Sequence, residues 1–221
     1  MKYLLYNNAG NNTLQLKGDE HRYIFKVRRH KIDDLIALRN LKDKYIYNYK
    51  IVSIDKKEAT LILQNSQELI IKAKKNLHIG WCIIEPKNIE KVLPTLNELG
   101  VKSISFIYCQ RSQKSFKIDF KRLEKILINS SQQSGRSEIM ELELIENLNA
   151  FLEKYPNSKL LNFSDKLLKA KDNINSIVIG CEGGFSDKEL KLFDTNIIGL
   201  DTPMTLKSES AVCAVASKIL V

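Results

Sequence analysis

Two rhythms of apolar positions divide the chain near residue 76. Before it, apolar residues come in short runs: "KYLLYN" (2–7), "DLIALRN" (34–40), "KYIYNYKIVSID" (44–55) and "ATLILQN" (59–65). Each run is β-branched or aromatic and bounded by charged turns, which reads as strand. With one small helix starting at Asp19, this pattern predicts a compact barrel. After residue 76 the pattern alternates. Apolar runs "LHIGWCIIE", "SISFIYC", "MELELI", "KLLNF", "SIVIG" and "NIIGLD" predict strands. Between and after them, "KNIEKVLPTLNELG", "DFKRLEKILINSSQQ", "NLNAFLEKY", "SDKLLKA", "SDKELKLF" and "SESAVCAVASKILV" predict helices. Such alternation implies an α/β fold with a parallel sheet and helices on both faces. The expected domains are 1–72 and 73–221.

Charge sharpens this division. Residues 1–75 hold 16 Lys+Arg against 8 Asp+Glu, and the remaining 146 residues hold 19 against 18. Nearly all of the net charge of +9 therefore lies in the first third. A basic module beside a neutral one points to nucleic acid, with a lysine-rich composition as the plain alternative. Arg22, Lys26, Arg28, Arg29 and Lys31 crowd one segment and form a candidate phosphate-tracking patch. No apolar window is long enough to span a membrane, and the start is too short for a signal peptide. Cys82, Cys109, Cys181 and Cys213 stand singly, and the three histidines share no motif. Free buried thiols in a reducing cytoplasm are expected, with no metal centre.

The stretch "SIVIGCEGGFSDKEL" (176–190) carries the strongest chemical signal. An apolar strand ends at Gly180, and Gly183 and Gly184 follow Glu182 before a helix with a Ser186–Glu189 capping box. In a parallel sheet, loops at strand carboxyl ends bind ligands, and glycines let a ligand lie against bare peptide groups. No lysine follows Gly184, so this is no P-loop. No G-x-G-x-x-G opens the sheet, and Glu182 would repel a pyrophosphate. A cationic or donor-rich ligand suits it better.

"IGCEGGFSDKEL" resembles the I-G-P-E-G-G-F/L-[ST]-x-x-E signature of the RsmE family, SPOUT-class methyltransferases. "HRYIFKVRRHKIDDLIAL", "NELGVKSI", "CQRSQKS", "SSQQSGRS" and "LKSESAVCAVA" resemble further family segments in the same order. Cys181 stands where the family has proline, Gln132 where it has glutamate, and Lys207 where it has arginine. The resemblance implies a small PUA-like N-terminal domain and a SPOUT α/β domain with a trefoil knot. It also implies methylation of uridine N3 in 16S ribosomal RNA from S-adenosylmethionine, in a homodimer acting on the assembled small subunit. The cofactor is expected among Leu161, Asn162, Ile179, Gly180, Cys181, Glu182, Gly183, Gly184, Gly199, Leu200, Leu206, Ser208 and Ala211. Ser208 is expected as N-cap of the last helix. Glu98 and Glu209 are candidate bases for the N3 proton, and Arg111 and Arg136 candidates to hold phosphate or polarise a uracil carbonyl. Arg136 is favoured because it follows a Ser-Gly turn that can project it. Arg22, Arg28, Arg29 and Lys31 complete the expected RNA contacts. A related enzyme with a tRNA target and a non-catalytic RNA-binding protein are the alternatives.

Overall fold

A computed structural model describes residues 1–221 and divides them into two compact units. The first comprises Met1–Lys72 with Ser131–Glu138, and the second Ala73–Ser130 with Ile139–Val221. The expected boundary near residue 72 thus misses one exchange. Residues 131–138 join the first unit because the backbone N–H of Lys2 donates to Gln132 O, that of Leu5 to Gln132 Oε1, and Tyr3 OH to Arg136 O.

The first unit holds β1 (Leu4–Leu5), β2 (Thr13–Lys17), α1 (Gly18–Arg22), β3 (Leu35–Arg39), β4 (Tyr45–Ile54) and β5 (Glu58–Glu68). They form a five-stranded sheet in the order β1-β3-β4-β5-β2, with β1 parallel to β3 and the other pairs antiparallel. The strand β2 was not legible as a separate run. Its five residues alternate exposed and buried, with Leu14 and Leu16 alone supplying the core face. The expected helix from Asp19 is α1 continued as one π-helical turn, Tyr23–Val27.

The second unit is one parallel sheet. Its strands are β6 (His78–Cys82), β7 (Ser103–Ile107), β8 (Glu141–Ile145), β9 (Lys159–Leu161), β10 (Ser176–Ile179) and β11 (Ile197–Ile198). The helices are α2 (Pro86–Leu99), α3 (Phe120–Ser134, of which the residues from Ser131 on belong to the first unit), α4 (Leu148–Lys154), α5 (Asp187–Lys191) and α6 (Ser208–Leu220). Strand order is β11-β9-β10-β6-β7-β8, every pair parallel. All five residues of β6 are buried, as an unbroken apolar run between two helical layers requires. Trp81, Phe106 and Phe151 are fully enclosed in this core. After β6 and β7 the chain adds β8 outward, then reappears on the far side of β6, so the order reverses between β6 and β10. Ligand loops belong at the carboxyl ends of strands beside such a reversal.

Two local expectations are corrected. "SDKLLKA" forms no helix: Leu167 bridges Gly199, and the N–H groups of Leu168 and Gly199 donate to Gly199 O and Lys166 O. Backbone pairing with a neighbouring chain segment overrides the local helical pattern. Cys82 and Cys109 are joined as a disulfide, Cα atoms 5.7 Å apart, while Cys181 and Cys213 are free. Adjacent parallel strands end beside each other, with Cys82 in register with Ile107, which brings the two sulfurs together. No helix is long and apolar enough to cross a membrane.

Candidate functional site

At the carboxyl ends of β9, β10 and β11 lies a cavity of about 730 Å³. Three segments wall it: Leu161–Leu167, Ile179–Phe185 and Leu200–Ala211. Twelve of the thirteen residues expected to meet the cofactor line it, namely Leu161, Asn162, Ile179 to Gly184, Leu200, Leu206, Ser208 and Ala211. Gly199 stands behind the wall instead. A Cβ there would lie 2.5 Å from Ser164 O, so its missing side chain lets two backbone segments touch. Phe163, Asp165, Phe185, Asp201 and Met204 also line the cavity. They were not foreseen because the segment after β9 read as helix and "LDTPMT" carries no recognisable motif.

The glycine turn is held from both sides. Gly184 has φ 66°, a conformation that suits glycine, and its N–H closes the turn on Cys181 O at 2.9 Å. Gly183 leaves room for Arg111, whose Cβ would be 3.1 Å from an added methyl group. Arg111 Nη1 then donates to Gly183 O at 2.7 Å. The Ser186–Glu189 capping box is present: the Glu189 N–H donates to Ser186 Oγ, and Ser186 N–H to Glu189 Oε2. Ser208 is not the N-cap, which is Lys207. Its hydroxyl donates to Gly180 O at 2.5 Å and accepts from Trp81 Nε1 at 2.9 Å. The start of α6 is thereby tied to the end of β10, fixing two cavity walls against a buried indole.

Charge distinguishes this hollow. Glu182, Asp165 and Asp201 line it, and no Lys, Arg or His does. Beneath it, at the amino edge of the sheet, a separate polar network braces the core. His78 Nε2 and Ser105 Oγ are 2.7 Å apart, and Ser105 Oγ donates to Glu143 Oε1 at 2.6 Å. Tyr155 OH donates to the same oxygen, and Lys154 pairs with Glu143 Oε2. Burial pushes the His78 imidazole down to about 4, against the opposing pull of Glu143. Burial would raise Glu143, but hydrogen bonds from Lys154, Ser105 and Tyr155 outweigh it and hold the carboxyl at about 2.

The candidate catalytic residues separate. Glu98 is exposed in the last turn of α2. That helix leaves the carboxyl end of β6 and runs back about 21 Å. Gly100 then ends it, and β7 starts at Ser103, so Glu98 stands at the amino edge, away from the cavity. Direction along the sheet separates it from the cavity. Arg136 is 4% exposed rather than projected, and its Nη2 donates to Glu138 Oε1 at 3.0 Å. Burial lowers its guanidinium pKa, with Glu138 pulling it back. Glu209 is half-buried in the first turn of α6, between the cavity residues Ser208 and Ala211.

In the first unit, Arg22 and Lys26 line a hollow of about 470 Å³ together with Gly18, His21, Lys56 and Lys57. Lys56 and Lys57 come from the β4–β5 turn, which no local motif linked to Arg22. Arg28 folds back on Tyr23, donating to its hydroxyl from Nε and Nη2, and Arg29 and Lys31 are exposed.

An RNA methyltransferase domain model matches residues 72–220, and an RNA methyltransferase PUA domain model matches 16–64. The chain is 42% identical to Ribosomal RNA small subunit methyltransferase E of Helicobacter pylori over 222 residues, 98% of each. The chain belongs to this family. The fold agrees: the family structure from Neisseria gonorrhoeae, bound to S-adenosyl methionine, superposes with TM-score 0.79 at 18% identity, covering 98% of this chain and 95% of that one. A Legionella pneumophila protein in complex with the cofactor SAM gives 0.79 at 23% identity, over 98% and 93%. The first unit is accordingly PUA-like, and the second is the family's RNA methyltransferase domain.

Proposed function

We infer that the chain transfers a methyl group from S-adenosylmethionine to N3 of a uridine in 16S ribosomal RNA, within the small subunit. The observation that carries this is the acidic cavity, with three carboxylates and no basic side chain. S-adenosylmethionine has a sulfonium and an ammonium against one carboxylate, so such a hollow attracts it where a polyphosphate is repelled. The volume of about 730 Å³ also fits a ligand of this size. Bound S-adenosylmethionine supplies a methyl group on a positively charged sulfur that leaves as a neutral thioether.

The chain's own part is positioning, on which in-line transfer chiefly depends. Backbone groups of Ile179 to Gly184 and Leu200 to Leu206 would hold the cofactor, with Glu182 and Asp201 supplying negative charge for its cationic groups. Uridine N3 carries a proton at neutral pH, and Glu209 is assigned to accept it. It is the acid that follows the cavity residue Ser208 in the first turn of α6, although it does not itself line the cavity. Arg111, anchored at the glycine turn, holds the RNA. The family's trefoil knot and homodimer belong to the same reading, as does action in the cytoplasm where subunits assemble.

The test is transfer of labelled methyl to small subunits lacking the modification, with nucleoside analysis. Label in N3-methyluridine is the expected result. Absence of label on subunits that another family member methylates overturns the reading. Glu209→Gln should then lower kcat while leaving cofactor affinity near the parent value.

A further inference from the structure

A second hollow opens on the same edge of the sheet. It measures about 450 Å³ and lies at the carboxyl ends of β7 and β8, lined by the loop residues Gln110, Lys114, Lys117 and Glu146 and by Asn149 in the first turn of α4, among others. The cofactor cavity occupies the ends of β9, β10 and β11, and β6 runs between the two groups. The loop Tyr108–Lys117 joins them. It carries Arg111, Lys114 and Lys117 and no acidic residue. Arg111 reaches Gly183 O, and Gln110 N–H donates to Glu189 Oε1 at 2.7 Å, so this loop is fixed to both the glycine turn and α5.

Unlike the cavity, this hollow has cations in its lining, Lys114 and Lys117 beside Glu146 and Glu189. Glu189 borders the hollow but is 8% exposed and spends its carboxylate on Gln110 N–H, Ser186 N–H and Ser186 Oγ. Glu146, Lys114 and Lys117 are exposed, with Lys117 Nζ 5.7 Å from the Tyr108 ring centroid. Lysines for phosphate, amides of Gln110 and Asn149 for base edges, and a carboxylate able to accept from a ribose 2′-hydroxyl together match a ribonucleotide.

The geometry points to this hollow as the seat of the RNA strand flanking the methylated nucleotide, with phosphate on Lys114 and Lys117. This rests on the reading of the chain as an RNA methyltransferase. A strand that delivers a base to the cavity crosses the same sheet edge, and the loop bonded to Gly183 places its binding groups beside the cofactor turn.

The experiment pairs Lys114→Gln with Lys117→Gln and uses the ribosomal RNA substrate that the parent chain methylates. RNA affinity should fall about tenfold at low salt, and the slope of log K against log salt should shrink by about two. KM for RNA should rise with kcat retained, S-adenosylmethionine affinity should stay at the parent value, and Arg at both positions should restore binding. Parent-like RNA affinity and salt slope overturn the inference. So does a loss of S-adenosylmethionine affinity in step with RNA affinity, because that marks a structural role. If the parent chain itself methylates no RNA, the functional reading falls first. If the parent does and the variant matches it, only this inference falls.

Discussion

The cavity of the second unit and the basic hollow of the first are both lined by segments flanking strands, yet their charges are opposite. Glu182, Asp165 and Asp201 line one without a single base. Arg22, Lys26, Lys56 and Lys57 line the other without a single acid. A net charge of +9 therefore describes neither site. A small cation needs a local negative field with walls that exclude water, whereas a polyanion is held by exposed cations that release its counterions.

Reversing the first field is the severest test. Glu182→Lys with Asp201→Lys should weaken S-adenosylmethionine binding about 100-fold, or about 2.7 kcal/mol, with the fold retained. Titration calorimetry reads this directly, and parent-like affinity would break the comparison. Acid should next separate the cavity's frame from its walls. His78 is buried with a folded pKa of about 4 against an ordinary 6.5, so the unfolded chain binds the extra proton between those values. Stability of the second unit is full above pH 6.5 and should drop by about 2 to 3 kcal/mol as pH falls to 4. Glu143, held at about 2, adds a further loss only below its ordinary 4.5. Denaturation across this range should show the slope, and His78→Asn should flatten it. A pH-independent parent would refute the assignment.

Neutralising the other field has a smaller effect. Lys26, Lys56 and Lys57 changed to Gln should cost about tenfold in RNA affinity and reduce the salt slope by about three, leaving cofactor binding unchanged. An unaltered salt slope would remove this hollow from the RNA interface. Gly184→Ala should do least. An added methyl meets nothing within 4 Å, so only the positive φ is at issue, at about 1 kcal/mol in chemical denaturation. A loss several times larger would mean that the turn packs more tightly than its backbone shows.

Much of the candidate site was legible because strand ends, glycines and the capping box are local features. The run "SIVIGCEGG" places its own turn, and the alternation around it dictates a parallel sheet. Legibility failed where a distant partner decided the outcome. "SDKLLKA" has helical spacing, but pairing of Leu167 with Gly199 keeps it irregular, and its Asp165 lines the cavity. Ser208 looks like an N-cap, but Gly180 O and Trp81 claim its hydroxyl.

By itself the sequence determined the two modules, the parallel sheet, the glycine turn and the excess of positive charge at the start. Each follows from periodicity or composition within a few tens of residues, where the backbone's own geometry links position to role. Only the tertiary structure decided which charges share a site. It set Glu98 at the opposite edge of the sheet from the cavity, buried Arg136, gathered Lys56 beside Arg22, and bonded Arg111 to Gly183. Those outcomes depend on helix direction and long-range packing, and an electrostatic field is the sum over neighbours in space rather than along the chain.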